Sequence, residues 1–404
     1  MRKTITIGDL GTIITGKTPP TTNKNYYGDY AVFIKPTDIS EQCKFTYETE
    51  EMYSRLAAEK YESSLIPKGA ICVPCIGTIG TKMTMAPCEC YTNQSINSII
   101  CNENYDNEYV YYLIKNFLPG LKSYNLGTAS GREYVSKSNF EKIELVAEQD
   151  KTIQIKIGKF LSRYDSLIEN YQKQIKLSEE AAQRLYREWF VDLHFPGHKN
   201  TKIVDGVPKG WEKKKVREIG KVITGKTPST SKKEYYGGQI PFITIPDMHT
   251  GIYPISSQFL SDLGANSQSG KFIPANSLMV SCIGTAGLVC ITKEECQTNQ
   301  QINSLVLNDN SLLYYMYNTF LSLKEHLNNI GSNGATMTNV NKSKFESIEI
   351  LIPNNSISNL YNKAVEPSFR SIKTLSSQIC LLTEARDRLL PKLMSGDIKI
   401  ESLK

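Results

Sequence analysis

The chain is written twice. TGKTPPTTNKNYYGDYAVFIKPTDI, starting at Thr15, matches TGKTPSTSKKEYYGGQIPFITIPDM, starting at Thr224, at an offset of 209 residues. CIGTIG from Cys75 matches CIGTAG from Cys282, and TNQSINSI from Thr92 matches TNQQINSL from Thr298. Tyr111-Tyr112 pair with Tyr314-Tyr315, and KSNFEKIEL from Lys137 with KSKFESIEI from Lys342. Over this span the offset drifts by only a few residues, so the second half is a duplicate of the first. Whatever one half folds into, the other must fold into as well.

Each copy ends in a helical stretch. Ile153, Ile157, Phe160, Tyr164, Leu167 and Tyr171 alternate spacings of four and three, and the pattern resumes through Leu185 to Trp189 after a shift at Gln174 or Ile175. Ile372, Leu375, Ile379, Leu382, Arg386, Leu389 and Leu393 do the same in the second copy. That alternation keeps a narrow apolar seam toward one partner helix, as in a coiled coil. Two amphipathic helices, each packed on its own domain, meet the same periodicity. Pro367 has no counterpart in the first copy, which predicts a kink or a late start in the second helix. FPGHKNTKIVDGVPKGW, between the copies, is rich in turn residues and reads as a connector. The expected organisation is a domain over 1–149, a long helix over 150–194, a linker over 195–210, a second domain over 211–353, and a second long helix with a tail over 354–404. The fold class expected is α+β: two pseudo-repeated α/β domains separated by two long antiparallel helices that form a coiled-coil spacer.

GTIITGKT from Gly11 and GKVITGKT from Gly220 both satisfy the phosphate-loop pattern G-x-x-x-x-G-K-[ST]. Such a loop needs free backbone N–H groups and a helix starting at its Lys-Ser/Thr. Here the loop interior is β-branched and extended, and prolines and turn residues follow instead of a helix. The segment reads instead as a strand and a tight turn displaying Lys17 and Lys226. Cys72, Cys75, Cys88 and Cys90 suggest a zinc site, but the duplicate puts Met279 where Cys72 stands, which makes it a packing position. His194 and His198 are separated by Phe-Pro-Gly and share no helical face. No nucleophile–base constellation recurs between the halves, so no catalytic residue, metal or cofactor is assigned to the chain.

What recurs is small, polar and loop-like: Thr15, Lys17 and Thr18 against Thr224, Lys226 and Thr227; Gly77, Thr78 and Gly80 against Gly284, Thr285 and Gly287; Asn93 and Gln94 against Asn299 and Gln300; and a Gly/Ser/Thr-rich loop ending at Lys137 and Lys342. With Lys35, these are the candidates for a DNA-facing surface, since glycine-turn amides, hydroxyls and lysines contact phosphates and amides read base edges. The same residues equally serve to shape turns and cap strands. The net charge of +6 permits an anionic partner without demanding one.

On these stretches, together with EAAQRLYREWFVDLHFPG and DGVPKGW, the chain resembles the specificity (DNA-recognition) subunit of Type I restriction–modification systems over essentially its full length. The first domain departs from the family in lacking a Trp-type opening, and the second helix in carrying Pro367. The resemblance implies two target-recognition domains, each binding one half of a split, asymmetric site on double-stranded DNA. It implies two methylation subunits docked on the helices, carrying S-adenosylmethionine and modifying adenine, and restriction subunits that use ATP and Mg. This chain would then be no enzyme by itself, bear no cofactor and choose the sequence.

A helix of about 40 residues is roughly 60 Å long. With overlap, such a spacer suits two domains one DNA turn apart, roughly 34 Å. The copies diverge most at 40–65 against 249–271, 81–91 against 288–297, and 122–136 against 325–341, where base-reading residues are expected: Lys44, Lys82, Lys122, Arg132, His249, Lys271, Asn333 and Asn339. Lys17 and Lys226 are expected on phosphates. Tyr171, Leu185, Trp189, Phe190, Leu389 and Leu393, on the helices, are expected to bind partner subunits. A DNA-binding scaffold or regulator without methyltransferase partners, and a nucleotide hydrolase, are the alternatives. No run reaches the length of a membrane span, the N-terminus lacks a signal-peptide block, and the ten cysteines suit the cytoplasm, the expected location, without a membrane.

Overall fold

The computed structural model describes residues 2–77, 79–125, 127, 133–331 and 339–400. They form two compact units, one of residues 1–170 with 379–404, the other of residues 171–378. The first unit is thus made from both ends of the chain.

In the first unit an antiparallel sheet runs Gly11–Thr15, Ile96–Cys101, Ile71–Pro74, Thr84–Met85 in spatial order. Its β-branched residues alternate between faces, as strand geometry requires. Ile13, Val73 and Ile99 face a core shared with Tyr109, Val110 and Leu113 of the helix Asn107–Phe117. Cys72 and Ile96 face a second cluster with Ile34, Ile66 and Cys90. Asp106 caps that helix, its carboxylate accepting from the Tyr109 N–H at 3.0 Å. Beside the main sheet, Ala31–Ile34 lies between Met52–Tyr53, antiparallel, and Tyr91–Thr92, parallel. Arg2–Thr6 pairs with Glu144–Glu148.

The second unit repeats this order element by element. Gly220–Thr224, Ile302–Leu307, Leu278–Ser281 and Val289–Ile291 form its antiparallel sheet. Tyr236–Ile243 lies between Gln258–Leu260 and Gln297–Thr298 with the same mix of directions, and Glu212–Lys215 pairs with Glu349–Ile352. Met279 occupies the strand position of Cys72 and faces the equivalent cluster with Ile302 and Cys290. Burial pushes the thiols of Cys72 and Cys75 up to about 12 and that of Cys282 to about 11, keeping them protonated.

The first long helix spans Lys151–Tyr186 and passes into a π turn at Arg187–Val191. The second spans Asn355–Ser395. In the first unit Ile157 and Leu161 share a core with Leu390 and Leu393, while Asp165 meets Arg386, so the helix segments run antiparallel. In the second unit the Tyr361 hydroxyl donates to the Ala182 carbonyl at 3.2 Å, and Ile175 packs on the cluster that holds Ile372, again antiparallel. The helices pack on one another and on the domains at once, so the two readings of the periodicity are not exclusive.

Two expectations are corrected. The second helix does not start late at Pro367; it is already helical from Asn355. A proline removes only one N–H from the ladder, at a cost of about 3 kcal/mol, and here Val365, Phe369 and Ile372 are all buried around it. The seam of the first helix is also displaced: Leu167 is 44% exposed, whereas Gln154, Ile157, Leu161, Asp165 and Ile168 are buried. The second helix buries Ser358, Tyr361, Val365, Phe369 and Ile372, each 204 residues further on. Two of the buried positions in the first helix are polar, and an apolar periodicity passes over them. Gln154 is held by donating to the Glu148 carbonyl at 2.8 Å and accepting from the Asp106 N–H at 2.9 Å.

Asp165 is held by Arg386 on one oxygen and by the Tyr112 hydroxyl on the other, and Arg386 also reaches Asp387 at 2.8 Å. At the equivalent positions of the second unit stand Phe369 and Ala182, a large and a small apolar residue, both buried. Removing one member of a buried pair leaves an uncompensated charge and costs about 3–5 kcal/mol. Arg386→Leu should therefore lower the denaturation midpoint strongly. Asp165→Leu with Arg386→Leu should recover most of the loss in the same titration.

Candidate nucleic-acid interface

In each unit the repeated loops gather at one end of the main sheet. The strand Gly11–Thr15 ends at Thr15, whose hydroxyl donates to Asn97 Oδ1 at 2.7 Å; Thr224 does the same to Asn303 at 2.7 Å. The following loop is then tied to the Thr92–Gln94 segment. Gly16 N–H donates to the Ile96 carbonyl at 3.1 Å and Lys17 N–H to the Thr92 carbonyl at 2.9 Å. Gly225 and Lys226 donate to Ile302 and Thr298 at 3.1 and 2.9 Å. A Cβ on Gly16 or Gly225 would lie 2.1 Å from a carbonyl oxygen of Thr92 or Asn299, so only glycine permits the approach. These amides are committed to the fold and cannot cradle a phosphate, which removes the physical basis of a nucleotide site here. The side chains of Lys17 and Lys226 remain exposed at the rim.

Thr18 and Thr227 donate their hydroxyls to Gln94 and Gln300, cross-linking the two loops in both units. Asn93 and Asn299 fold back, accepting from the N–H of Ser95 at 3.0 Å and of Gln301 at 3.1 Å. They shape the turn, while the neighbouring glutamines are exposed. The Cys75 N–H reaches the Ser95 carbonyl at 2.7 Å, and its carbonyl accepts from Val135 at 2.8 Å; Cys282 bridges Gln301 and Val340 at 2.8 and 2.9 Å. Gly77, Gly80, the turn Gly284–Gly287 and the residues closing the Gly/Ser/Thr-rich loop therefore lie beside the glutamine loop. At that closure Lys137 pairs with Glu141 at 3.6 Å and Lys342 with Glu346 at 3.5 Å.

Several expected base readers lie elsewhere. Lys44 is 3% exposed, ion-paired with Glu108, with its ammonium 5.3 Å from the Tyr111 ring centroid and 5.4 Å from that of Tyr112. It is a core cation, stabilised by aromatic faces and one carboxylate, and not a DNA contact. Lys271 donates to the Thr224 carbonyl at 2.9 Å, and Lys35, expected on the DNA-facing surface, is engaged by Glu50 at 2.7 Å and Glu51 at 3.1 Å. His249, Asn339 and Lys122 are exposed and Lys82 half-buried. Thr78, Arg132 and Asn333 lie outside the described residues.

The expected partner-binding set also changes. Leu393 is fully buried in the first unit. In the second unit Phe190 packs against Tyr315, Tyr361 and Trp211 at ring distances of 4.6, 4.9 and 5.7 Å, and Trp189 lies 5.9 Å from Tyr361. This apolar helix end is consumed by its own domain and linker, with Leu185 packed on the same core. Tyr171 and Leu389 are half-buried. Among the apolar side chains that face outward on the helices, Leu177 and Leu381 are 65% and 64% exposed, at equivalent positions 204 residues apart. The shared pattern Gln174-x-x-Leu177-x-x-x-Ala181 and Gln378-x-x-Leu381-x-x-x-Ala385 marks them in the sequence, though they fall off the expected seam.

Because Lys44 is structural, Lys44→Ala should lower stability by about 2 kcal/mol, reduced from the fully buried case because Glu108 is partly solvated. Chemical denaturation measures that loss, and the recognised DNA motif should not change.

The family described as Type I restriction modification DNA specificity domain matches residues 2–179 and 208–364. The chain is 46% identical over 200 residues to the Type I restriction enzyme HindI specificity subunit of Haemophilus influenzae, a match covering 48% of this chain and 42% of that relative. It is 28% identical over 410 residues to the MjaIX specificity subunit of Methanocaldococcus jannaschii, covering 98% and 93%. The crystal structure of the S subunit of a Type I restriction–modification system from M. genitalium shares the fold, with a TM-score of 0.62 at 15% identity over 98% of this chain and 96% of that one. Two domains of matching sheet order, repeated loops at matching ends and a family match across both copies lead to one assignment: the chain belongs to the Type I restriction–modification DNA specificity family.

Proposed function

We propose that this chain is the sequence-choosing subunit of a Type I restriction–modification complex, each recognition domain reading one half of a bipartite, asymmetric target on double-stranded DNA. The observation that carries this reading is that one loop framework is built twice and lined differently. Common elements, such as the Thr18–Gln94 and Thr227–Gln300 links, give both units the same platform. The segments around it differ, with His249 exposed in the second unit and a different loop in the first. A shared platform suits the phosphate backbone, which is uniform; differing side chains suit base edges, which are not.

The chain supplies recognition and no chemistry of its own. S-adenosylmethionine, ATP and Mg belong to the methylation and restriction subunits, and the committed amides of the TGKT loops support this for ATP. Two methylation subunits dock on the long helices. Support comes from the exposed leucines Leu177 and Leu381, since one patch present twice suits two copies of one partner.

Two measurements test the reading. Mapping methylated adenines in the host should reveal a split motif that disappears with the gene, and exchanging residues 211–352 should replace one half only. Persistence of the motif without the chain would contradict the assignment. Leu177→Glu with Leu381→Glu should weaken capture of the methyltransferase by about tenfold or more per site, read by co-purification from the host, while binding of the chain to DNA stays unchanged.

A further inference from the structure

Next to each repeated glycine turn a lysine from another element is laid across the backbone. Gly80 has φ +75° and Gly287 φ +90°, conformations that favour glycine. A Cβ on Gly80 would stand 3.0 Å from Lys122 Cγ, and one on Gly287 only 2.6 Å from Lys324 Cγ. Lys122 sits in the short 3-10 helix Leu118–Tyr124, and Lys324 opens the helix Lys324–Gly331. The approach runs through Phe117-Leu-Pro-Gly-Leu-Lys122 in one unit and Phe320-Leu-Ser-Leu-Lys324 in the other, which differ by one residue in length. Both bring the lysine stem to the same place on the turn. Both lysines are exposed, and among the described residues neither has a carboxylate partner, unlike Lys137 and Lys342.

A cation kept in place across two copies whose surrounding loops diverge cannot distinguish two different half-sites. It can hold what the half-sites share. We propose that Lys122 and Lys324 are equivalent phosphodiester contacts, one in each recognition domain, each positioned by its stem on Gly80 or Gly287. This rests on the DNA-recognition reading above. It moves Lys122 from the base readers to the backbone contacts and adds Lys324, which the sequence did not single out. The seat matters because a flexible lysine placed on a turn next to the glutamine loop sets a register between backbone and base-reading residues.

The test uses the full chain and a duplex of random sequence, with affinity measured by fluorescence anisotropy from about 50 to about 200 mM salt. Each lost phosphate contact flattens the slope of log affinity against log salt by about 0.9. Lys122→Ala and Lys324→Ala should each do so, the double variant about twice as much, and Lys→Arg at either position should restore the slope. Lys214→Ala, outside the candidate interface and already paired with Glu212 at 3.1 Å, serves as the comparison and should leave the slope nearly unaltered. Unchanged thermal midpoints establish that the variants are folded. The methylated motif in the host should stay the same in every variant. If the wild-type chain shows a steep slope and the alanine variants keep it, the inference is overturned and DNA recognition stands. A change in one half of the motif overturns it too, by making the lysine a base reader. A wild-type chain without salt-dependent binding removes the recognition reading, and the inference with it.

Discussion

The clasp between the two long helices is the constraint on which the rest depends. In the first unit the closing segment of the second helix is part of the core: Leu390, Leu393 and Met394 pack with Ile157, Leu161 and Tyr112. Arg2, at the start of the chain, donates to the carbonyls of Met394 at 2.9 Å and Leu393 at 3.0 Å, satisfying groups that a helix end leaves free. The first domain is therefore completed by residues almost 400 positions away in sequence. Its recognition loops stand on a sheet whose helix-facing core includes that distant segment.

The duplicated seam is not symmetric in chemistry. Where the first unit buries Asp165 against Arg386, the second buries Phe369 and Ala182. A buried ion pair adds little net stability compared with good apolar packing, but it penalises any arrangement that leaves one charge alone. Pairing the helices in parallel, which would set Asp165 against Phe369 and Ala182 against Arg386, would do that. The seam thus favours one helix pairing over the alternatives that a repeated sequence offers, in the way a polar residue selects register in a coiled coil.

The candidate interface follows a division of labour. Threonines, asparagines and glycines common to both copies spend their hydrogen bonds inside the loop cluster: Thr15 to Asn97, Thr18 to Gln94, Asn93 to the Ser95 amide. That leaves lysines and glutamines at the rim, and divergent segments around it. Much of the repeated polar signal is therefore framework. A residue that recurs because it holds a turn and one that recurs because it meets a ligand look alike in a sequence, and only the direction of its hydrogen bonds separates them.

The repeat alone determined the duplication, the order of domain, helix, linker, domain and helix, and the failure of the TGKT segments as phosphate loops, because β-branched spacing and prolines are local properties. The placement of Cys72 as a packing residue was legible too, through Met279. Other features needed the tertiary structure. Lys44 reads as a solvent-facing cation in a divergent loop, yet Glu108 and the Tyr111 and Tyr112 rings, more than sixty positions away, enclose it. Asp165 and Gln154 reads as polar breaks in a helix face but lie on the buried seam, since their partners come from other elements. Lys324 lies just before a divergent window and gains meaning only with Gly287 beneath it. Periodicity and propensity act between near neighbours and are written in the chain; the compensation of a buried charge depends on which distant group arrives, and that is decided only when the chain closes on itself.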